Sequence, residues 1–382
     1  MFHTPSMDMA RILLTASSSS VPRVIRAARA LAKRGHEVSV LEWDRGGDLP
    51  EEEVRDGITF IRYRRRSGYG KKAALNMIGW LAFQLSFLLS EDFDLIQPQN
   101  LDSLLPTYIA LRILRRKNAP IAYDLADFYA DAYLSIWPIS KIVAAIERKL
   151  VSRVDALILV SPAQTEQVGS KIPEKVLCVY NSPDDIQAVE SSNEGDLRIL
   201  YIGTFERKRY KSLLKFMEIS ARADCEFILG GFGEMEESVR LKASEYGNVR
   251  FIGRVDRKDI SKYYAESDIV FSYFDPKESN NYKIAVPNKF LEALASGKPV
   301  IVAEGTFLEE IVRKYQIGFP VNLEREEEVI NLLNSLSMER SRLVEMGKRA
   351  RKVYEELFSW DRVMPEYLNL IEDLIEQYSM RI

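Results

Sequence analysis

The densest group of residues able to do chemistry runs from Pro287 to Val300 (PNKFLEALASGKPV). Asn288 can cap a helix whose N-terminus presents backbone N–H groups and a partial positive charge to an anion. Glu292 follows about one turn in, where a carboxylate can accept hydrogen bonds from neighbouring hydroxyls. Gly297 closes the helix and Pro299-Val300 opens the next strand, so the same residues also read as a well-punctuated helix-turn-strand. A second segment places Gly203 and Thr204 before Arg207, Lys208, Arg209 and Lys211, four cations in five positions. At the mouth of a cleft these could neutralise a diphosphate, and facing water they would be a solvated loop. A third, Gly230-Gly231-Phe232-Gly233, reads as a turn between a strand and a helix. Gly231 and Gly233 would let backbone amides close on a phosphate, but tight turns use glycine equally well, and the GxGxxG spacing of a dinucleotide fingerprint is absent.

The elements that must hold these residues alternate along the chain. Residues 10–15 read as a buried strand, 22–34 as a helix with Pro22 in its first turn and Gly35 as a left-handed cap, and 37–43 as a strand. That is a right-handed β-α-β unit. Strands follow at 58–62, 95–98, 121–124, 156–160 and 176–180, with helices at 73–90, 104–115 and 141–153. The polar, turn-rich stretch 181–195 (NSPDDIQAVESSNEG) breaks the pattern as a linker. Strands then recur at 198–202, 226–229, 249–252, 269–273 and 300–303. Helices lie between them at 211–221, 235–246, 257–265 and 289–295, and three more close the chain near 326–336, 341–357 and 362–380. The fold class is α/β: two Rossmann-like doubly wound domains, 1–182 and 196–358, joined by linker 183–195 and followed by a last helix, 359–382. Ligands of such sheets lie at the carboxyl ends of strands, so two facing domains imply a cleft.

Composition removes other chemistries. The 382 residues carry 53 Lys+Arg against 56 Asp+Glu, a net charge of −3, so no nucleic-acid partner is expected. Cys178 and Cys225 cannot build a disulfide framework, and with only His3 and His36 neither a His triad nor a multi-His metal site is expected. His36, directly after the capping Gly35, reads as structural. Residues 1–10 lack a signal-peptide pattern, which makes an intracellular protein the expectation.

Taken together, these segments resemble a known family. NKFLEALASGKPVI is similar to the donor-site segment of the family 4 glycosyltransferases, retaining enzymes of the GT-B fold. RVIRAARALAKRGHEVSVL, DALILVSPAQ with VYN, LYIGTFERKRYKSLL, NVRFIGRV and ESDIVFSYFD match the same family in order and spacing. SWDRVMPEYLNLIEDL resembles its C-terminal helix, which crosses back onto the N-terminal domain. The resemblance implies transfer of a sugar from a UDP- or GDP-linked donor to a hydroxyl of a glycan or lipid-linked acceptor, with retention and with no metal or other cofactor. By the same resemblance Glu292 holds the donor ribose, Arg209, Lys289 and the Asn288 helix terminus face the diphosphate or sugar, and Arg254-Val255 meet the base through main chain. Gly203, Thr204, Gly231 and Gly233 complete the donor site.

Two departures stand out. The family's E-x7-E pattern would place an acid eight positions before Glu292, where Ile284 stands. The N-domain His that relatives often carry is missing from 97–100 and 124–127. Asp127 is then the nearest acid to touch sugar or acceptor, so Asp127, Arg209 and Lys289 are the catalytic candidates, while Asp124 reads equally as structural. These departures keep two rivals in view, a catalytically silent GT-B scaffold and a nucleotide-sugar epimerase.

The stretch 62–72 (RYRRRSGYGKK) carries six cations and no acid, and runs into eighteen uncharged residues, 73–90. It reads as a helix packed on the sheet, as an interfacial helix on an anionic membrane surface, or as a span. The expectation is a cytoplasmic protein, with peripheral attachment to the inner face of the cell membrane if 62–90 binds lipid.

Overall fold

In the computed structural model the opening apolar run forms β1 (Arg11–Ala16), parallel to β2 (Glu37–Asp44), with the helix Pro22–Arg34 between them. Gly35 closes that helix at φ 103°, donating its N–H to the carbonyls of Leu31 and Ala32. The structure describes residues 9–67, 71–114, 119–134, 137–183, 186 and 195–380. The chain divides into two units, Met1–Val179 with Val363–Ile382, and Tyr180–Arg362.

In the first unit β3 (Glu52–Arg55) and β4 (Ile58–Arg64) form an antiparallel hairpin that places β4 beside β2. The charged β3 gives no hydrophobic alternation, which hides it in the sequence; as an edge strand it buries almost nothing. β5 (Leu95–Pro98) pairs with β1, so the order is β3-β4-β2-β1-β5. β6 (Ala122–Leu125), β7 (Ala156–Leu159) and β8 (Lys175–Cys178) continue in parallel, joined to β5 by isolated bridges at Ile96–Ile121 and Gln99–Asp124.

The helix Lys71–Ser90 adopts the packed alternative. Trp80 is fully buried and stacks on Trp43 at 6.2 Å. Arg62 is buried between Glu42 and Glu53, and Arg66 pairs with Asp48. The basic stretch thus meets acids that precede it by 9 to 20 positions (Glu53 before Arg62 is 9, Asp48 before Arg66 is 18, Glu42 before Arg62 is 20), pairings that the sheet and its hairpin create. Residues 68–70 lie outside the described ones. No described helix is long and apolar enough to cross a membrane.

Asp124 proves structural. Arg23 donates from Nε to both its carboxylate oxygens, at 2.8 and 2.9 Å, and from Nη1 to the Val179 carbonyl, with both side chains buried. His36 is likewise buried, with Nδ1 3.4 Å from the Ala10 N–H. From Val363 onward the closing helix Trp360–Ser379 belongs to this unit: Tyr367 donates to Gln97 at 2.7 Å and Arg34 pairs with Glu372 at 2.7 Å.

The second unit holds six parallel strands in the order β11-β10-β9-β12-β13-β14. They are β9 (Leu197–Thr204), β10 (Cys225–Phe232), β11 (Val249–Gly253), β12 (Ile269–Phe271), β13 (Val300–Ala303) and β14 (Gly318–Val321). The helix Phe307–Tyr315 and β14 escape the sequence reading. Tyr180 already belongs to this unit, its ring packed edge-on against Phe358 with the centroids 4.7 Å apart. Most of the expected linker, 184–185 and 187–194, lies outside the described residues.

Removing one partner of the buried Arg23–Asp124 pair strands the other. Asp124→Ala should therefore lower unfolding free energy by about 3–5 kcal/mol, while the apolar pair Arg23→Met with Asp124→Leu should lose much less. Urea denaturation of the three proteins measures both.

Candidate active site

β9 and β10 stay in register to their carboxyl ends, Gly203 opposite Gly231 and Thr204 opposite Phe232. This corrects the expected turn: Gly230 and Gly231 end a strand rather than leave it. The reason is the closeness of the two backbones. A Cβ on Gly231, at φ +152°, would sit 1.9 Å from the Gly203 carbonyl oxygen. Gly233, at φ +147°, faces the Phe205 backbone in the same way, where a Cβ would lie 2.7 Å from its carbonyl oxygen.

The cationic segment also changes character. The helix begins at Arg207, so Arg207, Lys208, Arg209 and Lys211 are helical rather than looped, with Glu206 extended before them. Arg209 donates from Nη1 to Thr204 Oγ1 at 2.6 Å and lies 4.7 Å over the Phe274 ring. Its Nε is buried without a hydrogen-bond partner. Tyr282 stacks on the same Phe274 at 4.8 Å.

Across the rim the helix Asn288–Ala295 points its first turn at Gly203. Pro287 holds the extended cap position and its carbonyl accepts from Phe290. Asn288 is therefore the first helical residue and not the cap; its Oδ1 accepts from Asn181 Nδ2 at 3.0 Å. Lys289 is only 5% exposed, and its Nζ has no hydrogen-bond partner. It rests 3.6 Å over the Tyr201 ring and 5.5 Å over Phe274. A Cβ on Gly203 would approach that Nζ to 2.8 Å. Burial, reinforced by the Arg209 charge, holds the Lys289 amine well below its usual range against the opposing pull of Glu292 and Glu206. Ile284, standing where an acid was expected, is buried and adds no charge.

Glu292 accepts from the Tyr264 hydroxyl at 3.0 Å. Burial pushes its carboxyl up, opposed by Tyr264, Arg257 and Lys289. Beyond it, Arg254, Val255, Asp256, Asp259, Lys262 and Tyr263 line an open cavity of about 390 Å³. Val255 closes on Gly230, where a Cβ would meet its Cγ2 at 2.8 Å, and Arg254 stacks 4.7 Å over Phe232.

Of the sequence-derived residues, the second unit gathers Gly203, Thr204, Arg209, Gly231, Gly233, Asn288, Lys289 and Glu292 on one rim, with Arg254 and Val255 beside it. Asp127 belongs to the first unit, where its N–H donates to Asn100 Oδ1 at 2.9 Å. Near it are two acids the sequence reading passed over. Burial raises Asp102 to about 6 against Ser17 and Arg45, and raises Glu147 to about 8 although Tyr123 and the Tyr129 N–H donate to it. Both sit at unremarkable helical positions, so no sequence signal marked them. Tyr201, Phe274 and Tyr264 were passed over too, because aromatic residues in strands and helices ordinarily read as core.

The rim can therefore take a dianionic or trianionic group. The buried Lys289 Nζ lacks an acceptor, and the half-buried Arg209 keeps its Nε without a hydrogen bond, where strand ends and a helix N-terminus converge. A hydroxyl-bearing extension would meet Glu292, and a planar ring would fit the adjoining cavity.

Comparison with known proteins bears on the family and the fold. The profile of the family described as Glycosyl transferases group 1 matches residues 183–353, and that of Glycosyltransferase Family 4 matches 22–185. The chain is 23% identical over 252 residues to O-antigen chain mannosyltransferase C of Escherichia coli, covering 63% of this chain and 66% of the relative. It spans about two thirds of the length of the first curated relatives it matches. Sucrose-phosphate synthase of Thermosynechococcus elongatus aligns with a TM-score of 0.77 at 15% identity, over 96% of this chain and 100% of its own. Anabaena HepE, solved in complex with UDP-glucose, aligns with a TM-score of 0.66 at 16% identity, over 97% and 100%. At these identities the two structures establish the fold.

The depressed Lys289 amine has a measurable consequence. The empty rim disfavours its proton, and a bound anion favours it, so binding a nucleoside diphosphate should take up about one proton between the free and bound pKa values. Affinity should then fall as pH rises through the interval between the free and the bound pKa, by up to about tenfold per unit, while Lys289→Met should be weak and flat. Titration calorimetry with GDP and UDP in buffers of different ionisation enthalpy reads the uptake directly. In the free protein the same shift makes stability rise with pH, because the unfolded chain keeps a proton that the folded one has given up.

Proposed function

The chain belongs to the family 4 glycosyltransferases of the GT-B fold, and from that premise we propose that it moves a glycosyl group from a nucleoside-diphosphate sugar to a hydroxyl of a glycan or lipid-linked acceptor, with retention at the anomeric carbon. The observation that carries this reading is the buried Lys289 Nζ without an acceptor, facing Gly203 beside Arg209. As the bond from anomeric carbon to phosphate oxygen breaks, negative charge grows on the leaving diphosphate. Preplaced cations in a site that excludes water stabilise that charge most effectively. Lys289 and Arg209 take this role, so the proposal calls for no metal. Glu292, its carboxylate steadied by Tyr264, accepts from the ribose hydroxyls. Asp127 remains the candidate to meet acceptor or sugar from the first unit.

The cavity favours a guanine base. Guanine offers adjacent N1–H and N2–H₂ donors and the O6 and N7 acceptors. Asp256 and Asp259 supply carboxylates for the first pair, and Arg254 and Lys262 supply cations for the second. Uracil presents one N–H, leaving a carboxylate unanswered. UDP, carried by HepE as UDP-glucose, is the comparison that a test must include.

A ligand at 100 times its dissociation constant should stabilise the fold by about 2.7 kcal/mol. GDP should raise the unfolding midpoint more than UDP. Arg209→Ala and Glu292→Ala should reduce both shifts, and Asp259→Asn should reduce the GDP shift alone. If the folded protein responds to neither nucleotide, a silent scaffold replaces the enzyme reading. A larger response to UDP overturns the guanine assignment and leaves the transferase reading intact.

A further inference from the structure

The surroundings of Lys289 suit a reaction as well as a ligand. Its side chain is 5% exposed, and its Nζ has no hydrogen-bond partner. The Tyr201 ring lies 3.6 Å from the amine and the Phe274 ring 5.5 Å from it, while residue 203 approaches so closely that only glycine fits. An ammonium enclosed in this way without an acceptor is costly, so the group that rests there is the neutral amine. A lysine amine desolvated among apolar walls and beside another cation carries a free lone pair and is a nucleophile. Arg209 stands against the same Phe274, 4.7 Å from its centroid, and its Nε is buried without a partner. The first N–H groups of the helix Asn288–Ala295 add donors that no intrahelical carbonyl answers. A nucleophile without charge thus faces a cation and donors that call for a small anion.

We propose that the free protein takes up carbon dioxide at Lys289 as a reversible carbamate, and that the carbamate carboxylate pairs with Arg209. The Nζ lone pair forms the bond to carbon, one carbonyl electron pair moves onto oxygen, and Nζ passes one proton to water, leaving –NH–COO−. The reaction needs a neutral amine, a water-poor wall and a cation for the product, and Lys289 has all three. Lys298 lacks the third condition in usable form. Burial lowers its amine to about 8 against the pull of Asp268, and a carbamate there would set a second carboxylate beside that acid. Exposed lysines keep their protons at neutral pH and have no lone pair to offer. Formation of the adduct does not depend on the glycosyl-transfer reading. Its consequence does rest on that reading: the carbamate takes the cation that a donor diphosphate needs, so carbon dioxide and donor exclude each other, and the rim becomes responsive to carbon dioxide.

Nuclear magnetic resonance of the full chain in carbon-labelled bicarbonate, at mildly alkaline pH, tests the proposal. Wild type should show a carbamate carbonyl resonance separate from those of bicarbonate and carbon dioxide. Alkylation to trap the adduct, followed by digestion and mass spectrometry, should place it on Lys289, a readout that needs no variant. Lys289→Met should lose the resonance and Arg209→Gln should reduce it severalfold, with unfolding midpoints confirming that both fold. Whichever of GDP and UDP raises the midpoint of wild type in buffer free of carbon dioxide should discharge the adduct. With half of the molecules carbamylated, apparent nucleotide affinity should be about twofold weaker. The midpoint shift in buffer free of carbon dioxide reads the donor site by itself, so loss of the donor reading and loss of the adduct are distinguishable. Absence of a trapped adduct on Lys289 in folded wild type overturns the proposal, and so does a resonance of equal intensity in Lys289→Met. Weaker nucleotide binding in bicarbonate without an adduct overturns it too, because the anion is then held without a covalent bond.

Discussion

The ammonium of Lys289, enclosed over the Tyr201 ring with no acceptor in reach, constrains everything around it on the second unit's rim. A charge buried without a partner is costly enough that it gives up its proton or waits for an anion. The ring offsets part of that cost, since a desolvated cation over an aromatic face gains about 2 kcal/mol. For the ring to lie there, Tyr201 must be anchored, and its hydroxyl donates to the Thr204 carbonyl at 2.9 Å. For the amine to fit, residue 203 must lack a side chain. For the strand carrying Gly203 to meet its neighbour, residue 231 must lack one as well. The glycines of the rim thus follow from two close approaches, Lys289 to β9 and β9 to β10.

The first unit solves its buried polar groups the opposite way. Arg23 and Asp124 answer each other, and Arg62 is held between Glu42 and Glu53. Such pairs fix position and leave nothing over for a ligand. Against that background Asp102 is the exception, a buried acid with one oxygen unpartnered, and burial keeps its proton on up to about pH 6. The contrast separates structural charge from charge held in reserve, and it places the reserve at strand ends in both units.

What the sequence revealed follows from range of interaction. The helix Pro22–Arg34 and strands β5 and β13 were legible to the residue, because Pro22, Gly35, Pro98 and Pro299 punctuate the chain locally. The rim was legible as a set of residue types, cations and glycines at strand ends. Its geometry was not. Whether Arg209 sits in a loop or a helix depends on Glu206 extending before it, and Asn288 yielded the cap position to Pro287 through a single backbone choice. The reading of 62–90 stayed open among three alternatives for a longer-range reason. A run of arginines beside an apolar helix looks the same in sequence whether acids reach it or not, and here acids on the β2–β3 segment do.

Ile284 shows how the rim's charge balance bears on the chemistry. The acids that act on Lys289 are Glu292 and Glu206, and they do not overcome the combined effect of burial and Arg209. A further carboxylate at the rim would tend to hold the lysine's proton in place before any donor arrived, and would repel the incoming diphosphate. With isoleucine at 284 the cations keep their excess. Under the proposed transfer, the donor diphosphate would complete that charge balance, and the interaction most needed as the glycosyl bond breaks would be one the protein makes only with its donor.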